Sequence, residues 1–212
     1  MRGTFIVIEG FDGVGKSTLA RRLAERLRGQ GYEVLEVREP GGTPLAESAR
    51  AAVLDPRLEA TPVAELFLIL AARADLVSRV IRPALEQGVV VLSDRFDLST
   101  EAYQVVGRQL PRDAVVGANR LATGGLSPDI TLVLDAPTEV ALSRRASKAA
   151  ALDRIEQMTD DVRMRVAAAF REASGAGVVH LDATESADDV ERAAWDTIHA
   201  SLRGQISTGT GF

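Results

Sequence analysis

The sequence predicts an α/β layer fold, with one parallel sheet of five strands and helices on both faces. Short apolar runs bounded by turn residues alternate with longer stretches of helical spacing, and the first run ends in a glycine-rich loop that opens a helix. The runs Phe5–Glu9, Val34–Arg38, Val89–Ser93, Ile130–Asp135 and Val178–Asp182 read as strands buried on both faces. Between them Leu19, Leu23 and Leu27 recur at i, i+4 and i+8, and Leu66, Ile69 and Leu70 lead into Leu76, Val80 and Ile81. In such folds ligands collect beyond the carboxyl ends of the strands, so each functional motif is expected on that edge.

A chain of 212 residues with 46% hydrophobic composition suffices for one well-buried domain, expected over residues 1–203. Residues 204–212, rich in Gly, Ser and Thr, read as a flexible tail. The net charge of −5 is made of interspersed signs, so no basic face invites a nucleic-acid polymer or an anionic membrane. With no cysteine, disulfides, Cys-ligated zinc and thiol catalysis are excluded, and His180 and His199 are too few for a histidine metal cluster. An oxygen-ligated metal stays open. No apolar run approaches the roughly 20 residues of a membrane-spanning helix, and the N-terminus lacks a signal-peptide core; the chain reads as soluble and cytoplasmic.

Gly10-Phe11-Asp12-Gly13-Val14-Gly15-Lys16-Ser17 fits G-x-x-x-x-G-K-[ST], between a predicted strand and a predicted helix that continues with Thr18. Glycines let successive backbone N–H groups face one phosphate chain, and the helix start adds unpaired N–H groups and its positive dipole end. Lys16 is expected to reach the β/γ oxygens of ATP and the Ser17 hydroxyl to ligate Mg²⁺. The fold class is thereby the three-layer P-loop NTPase fold. No Asn-Lys-x-Asp segment is present, which sets the GTPases aside.

Arg38-Glu39-Pro40-Gly41-Gly42-Thr43 follows the second strand, and Glu-Pro-Gly-Gly enforces a tight turn. The third strand ends in Ser93-Asp94-Arg95-Phe96, followed by a helix-like segment from Asp97 to Gln104. An acid at that strand end can hold Mg²⁺, and an adjacent arginine can fork onto a phosphate.

In this order the motifs resemble the thymidylate kinase family, from Phe5 to about Ile198. The resemblance rests on the P-loop preceded by Ile-Glu and carrying Asp12, on Arg-Glu-Pro-Gly-Gly-Thr, and on Asp-Arg-Phe-x-x-Ser-Thr-x-Ala-Tyr-Gln. Leu152-Asp153-Arg154-Ile155-Glu156 and Leu181-Asp182-Ala183-Thr184 extend it. It implies an ATP- and Mg²⁺-dependent kinase that converts dTMP to dTDP, commonly as a homodimer. In the family the residue matching Asp12 contacts the acceptor's 3′-hydroxyl, and those matching Arg38, Arg73 and Arg95 grip the acceptor phosphate or orient the base. Glu39, Pro40 and Ser99 fall in the same acceptor-side motifs; Asp94 would steer Arg95 and Mg²⁺. Thr100 and Gln104 match residues on the thymine edge, and Tyr103 matches the aromatic that stands where a ribose 2′-hydroxyl would be.

The resemblance also implies a short lid over ATP at about 144–156. Some members carry a catalytic basic residue in the P-loop; here Gly13 and Val14 occupy those positions, so the lid is expected to supply it, with Arg154, Lys148, Arg144 and Arg145 as candidates and Arg144 also beside ATP. Two features depart from the family pattern. Ile69 stands where a phenylalanine usually stacks on thymine, with Phe67 on another helix face, and Ala149-Ala150-Ala151 leaves the lid poor in arginine. They keep two other readings open: a same-fold kinase of another or modified monophosphate, and a nucleotide-binding regulatory protein that has lost catalysis.

Overall fold

The structure, a computed structural model, describes residues 2–147 and 153–208, with side chains described as far as residue 202. Five strands, β1 (Phe5–Gly10), β2 (Val34–Arg38), β3 (Val90–Asp94), β4 (Ile130–Asp135) and β5 (Val178–Asp182), form one sheet in the order β2-β3-β1-β4-β5. Every pairing is parallel. The expected strands are present; β1 reaches Gly10, and β3 is displaced by one residue to end on Asp94. That displacement follows from pairing, because Ile8 of β1 and Arg38 of β2 both oppose Asp94.

Alternation along β1 divides the core. Phe5 and Val7 point to the face covered by Leu76, Val77, Ile81 and Leu85, whereas Ile6 and Ile8 point to the face covered by Leu19, Leu23, Leu27 and Trp195. The leucine stripe lies on α1 (Lys16–Gly29), and Trp195 on the helix Ala187–Thr208. On the other face α3 (Pro62–Leu76) runs through a π-helical stretch, Val77–Ile81, into a short helix, Arg82–Glu86. The wider turn sets Leu76, Val77, Ile81 and Leu85 on the sheet side.

Helix starts have local causes. Thr43 and Thr61 accept from the backbone N–H of Ala46 and Ala64, and a proline follows each at the first helical position of α2 (Pro44–Leu54) and α3. Thr159 caps the helix Asp160–Arg171 by accepting from the backbone N–H of Val162. The helix Ala187–Thr208 runs past Gly204, where composition suggested a flexible tail; residues 209–212 lie outside the described residues, as does Lys148. Phe67 is 61% exposed, so it faces away from the neighbouring Leu66 and Leu70, which are buried.

Leu27 is fully buried in the α1 face of the core. Leu27→Ala is expected to destabilise the protein by about 2–5 kcal/mol, the range for a buried leucine truncated without full collapse of the cavity. Urea unfolding followed by circular dichroism checks it through the midpoint.

Candidate functional site

All the predicted motifs except part of the lid meet at the carboxyl edge of the sheet. The P-loop connects the end of β1 to the start of α1, where Gly15 adopts φ 106° at the helix N-cap. Gly13 has φ 92°, and a Cβ there would lie 2.0 Å from the carbonyl oxygen of Ala141, so only glycine lets the loop pass this close to the helix Thr138–Ala146. The Lys16 ammonium lies across the loop, donating to the carbonyls of Gly10 (3.0 Å) and Phe11 (2.9 Å) and standing 3.8 Å from Asp12. Burial, and then the like charge of Arg95, lower the Lys16 pKa to about 8, against the pull of Asp12, Asp94 and Glu9. The Phe11 side chain packs into the core instead.

Ser17 Oγ donates to Asp94 Oδ2 at 2.7 Å, joining the P-loop to the end of β3. Among the described residues no group of three or more His, Cys, Asp or Glu is arranged around a metal position. A pair of protein oxygens nevertheless fits Mg²⁺, which binds through one or two protein ligands while keeping waters and phosphate oxygens.

Arg95 is the hub of the site. Its backbone is left-handed (φ 79°), held by its N–H to the Ile8 carbonyl (3.0 Å) and by Ser93 Oγ donating to its carbonyl (2.7 Å). The guanidinium donates to Ser99 Oγ (2.9 Å), the Gly10 carbonyl (3.3 Å) and Asp12 Oδ1. Tyr103 closes the circuit by donating to Asp12 Oδ2 at 2.7 Å. Burial disfavours the Asp12 carboxylate, but the charges of Arg95 and Lys16 with the Tyr103 hydrogen bond outweigh it and hold its pKa at about 2.

A cavity of about 330 Å³ opens over these groups. Asp12, Gly13, Lys16, Ser17, Asp94 and Arg95 line the phosphate-loop part. Arg38, Glu39, Pro40, Ile69, Arg73, Ser99, Thr100, Tyr103 and Gln104 line another part of it. Arg73 is not an exposed helix cation. It is 2% exposed and donates to Glu39 Oε2 (2.6 Å), Thr100 Oγ1 (2.8 Å), Asn119 Oδ1 (2.6 Å) and the Phe96 carbonyl (2.8 Å). Burial, against the opposing Arg73 charge, raises the Glu39 pKa to about 7. Arg38 lies half out in solvent, forked onto Glu47 at 3.1 Å.

A second cavity, also about 330 Å³, lies behind the P-loop between Val14, Thr18, Arg144 and Ala183, with Arg144 donating to the Ala183 carbonyl at 2.7 Å. The basic candidates of the lid thus separate. Arg145 lines the main cavity and is paired with Glu156 (2.5 and 2.7 Å), Arg144 lines the second, and Lys148 lies outside the described residues. Arg154 is tied to Glu65 Oε2 (2.8 Å) and the Val53 carbonyl (2.8 Å).

Three functional neighbours escaped sequence reasoning. Glu9, fully buried, accepts from Phe96 N (2.8 Å), Ser99 N (3.1 Å) and Ser99 Oγ (2.6 Å), fixing the loop that carries Arg95. Its signal was an acid closing an apolar strand. Arg50 lines the cavity and donates to the Pro40 carbonyl at 2.9 Å, and Glu65 is 1% exposed beneath Gln104; neither stands out from an ordinary amphipathic helix in sequence.

Comparison with known proteins agrees with this geometry. The family model described as thymidylate kinase matches residues 8–194. A thymidylate kinase of Ectopseudomonas mendocina (strain ymp) is 51% identical over 160 residues, 74% of this chain and 75% of that protein. One from Pseudomonas fluorescens (strain Pf-5) is 50% identical over 171 residues, 80% of this chain and 81% of that protein. With a P-loop, an Asp-Arg strand end and an Arg-Glu-Pro turn converging on one cavity inside the matched span, this chain belongs to the thymidylate kinase family.

Proposed function

We propose that the chain transfers the γ-phosphate of ATP to dTMP, giving dTDP and ADP. The observation that carries the reading is the single cavity with the P-loop at one end and the Ile69, Arg73, Thr100, Gln104 wall at the other, bridged by Asp12, Arg95 and Tyr103. An acceptor phosphate oxygen attacks the γ-phosphorus as the bond to the β,γ-bridging oxygen breaks, so the protein's contribution is alignment and positive charge. Lys16 binds the β/γ oxygens, Arg95 and Arg38 the acceptor phosphate, and Asp12 the 3′-hydroxyl, while Tyr103 closes the space of a 2′-hydroxyl. Ser17 and Asp94 would hold Mg²⁺, which would supply positive charge to offset that of the phosphates. Arg145 is the lid arginine that faces the cavity, Arg154 braces the lid base, and Arg144 borders ATP in the second cavity.

The reading extends to one kinase domain over 1–203 with a lid near 144–156, working in the cytoplasm on small molecules. Exposed apolar side chains on α3 (Val63, Phe67) and on the helix Arg112–Thr123 (Val116, Leu121) support a homodimer.

ADP release with a panel of monophosphates is expected to be strong with dTMP and to fall by about 10²–10³-fold or more in Lys16→Ala, as for loss of one transition-state donor. Equal turnover in that variant, or preference for another acceptor, would contradict the assignment.

Because Lys16 titrates near pH 8 in the free protein and phosphate anions raise its pKa, the cation is present below pH 8 and lost above it. ATP affinity is therefore expected to be flat from pH 7 to 8 and to decline by up to about tenfold per unit beyond. Calorimetry at pH 8.5 in two buffers should show proton uptake on binding, absent in Lys16→Ala.

Ile69→Phe restores an aromatic face to the cavity wall. A stack worth about 0.5–1.5 kcal/mol would lower the dTMP KM by roughly 2–10-fold with kcat unchanged, and an unchanged KM would show that the base does not lie against residue 69.

A further inference from the structure

We infer that Glu65, which does not line the cavity, is a specificity-determining residue: it fixes the side-chain amide of Gln104 so that the site accepts an imide base and rejects a 4-amino pyrimidine. The inference rests on the monophosphate-kinase reading above and concerns which base edge that site recognises.

Gln104 is 2% exposed, yet it lines the acceptor part of the cavity. An amide has a donor end and an acceptor end of nearly equal size, so its direction must be set by a partner with one polarity. Glu65 is such a partner. It is 1% exposed, and its carboxylate receives Arg108 Nε (3.1 Å) and Gln104 Nε2 (3.0 Å) on Oε1, with Arg108 Nη2 (3.0 Å) and Arg154 Nη1 (2.8 Å) on Oε2. Burial raises its proton affinity, but the hydrogen bonds of Arg108 and Gln104 and the charges of both arginines outweigh this and keep it ionised. An ionised carboxylate only accepts, so Gln104 must turn its NH₂ to Glu65, leaving Oε1 as an acceptor at the cavity.

The neighbouring wall has the opposite polarity. Thr100 Oγ1 accepts from Arg73 Nη1 (2.8 Å), which leaves its hydroxyl hydrogen to donate, and Arg73, which also lines the cavity, keeps one Nη2 hydrogen beyond its bond to the Phe96 carbonyl. An acceptor beside donors complements the N3–H and 4-oxo group of thymine or uracil. Cytosine offers an unprotonated N3 and a 4-amino group, so both contacts would be like against like. Rejection through an unpaired buried polar group is stronger than rejection through shape.

The test compares kcat/KM for dTMP and dCMP in wild type, Glu65→Gln, Gln104→Ala and the double variant. In Glu65→Gln the partner no longer has a single polarity, so the dTMP/dCMP ratio is expected to fall by about tenfold or more, mainly in KM, while the KM for ATP holds. In the Gln104→Ala background Glu65→Gln should leave the ratio where it is, because the effect passes through Gln104. A second measurement needs no variant: N3-methyl-dTMP should inhibit the wild type at least about tenfold more weakly than dUMP does. An unchanged ratio in Glu65→Gln overturns the inference, as does equal inhibition by the N3-methyl compound should Glu65→Gln not fold. A wild type without dTMP turnover overturns the kinase reading itself, and this inference with it.

Discussion

The site depends on one partly buried ion pair, Arg95 held between Asp12 of the P-loop and Ser99 at the start of the following helix. Arg95 occupies a left-handed backbone position that side chains other than glycine rarely take, so surrounding contacts must hold it there. The fully buried Glu9 supplies much of that restraint by binding the N–H groups on either side of the turn. Removing Asp12 or Arg95 leaves the other's charge without its partner at the cavity floor. The same carboxylates and guanidinium that stabilise the sheet edge are those that face the phosphates.

The parallel register gives this network its geometry. Ile8 and Arg38 both oppose Asp94, so the P-loop, the Arg-Glu-Pro turn and the Asp-Arg strand end leave the sheet side by side. Ser17 then meets Asp94 and Asp12 meets Arg95 without distortion of the strands. Thr43 extends the link to α3, capping α2 while donating to Asp75 at 2.6 Å. The acceptor wall is thus anchored to the same edge as the phosphate loop.

Buried ionic groups occur in layers around the cavity. Arg73 with Glu39, and Glu65 with Arg108 and Arg154, lie outside the Arg95 hub, nearly all their polar atoms paired. Glu39 Oε1 and Arg154 Nη2 are buried without a protein partner. Such groups are expensive to bury, and their value lies in fixing direction: the arginines hold the carboxylates, and Glu65 in turn holds the Gln104 amide.

The strands, the P-loop, the leucine face of α1 and the grouping of three motifs on one edge are legible in the chain, because they follow from apolar periodicity, glycine placement and short-range spacing. It also named most of the cavity wall, from Asp12 to Gln104, through motifs whose order matches a known family. Pairing across distance is another matter. Nothing near Arg73 in the chain announces that Glu39, 34 residues away, meets it in the interior. Arg154 reads as a lid charge until Glu65, 89 residues away, binds it, and Glu65 reads as an ordinary first-turn acid until three side chains converge on it. Charge–charge contacts between distant segments leave no periodic trace in a single chain, so only the folded sheet, by fixing which segments are neighbours, reveals them.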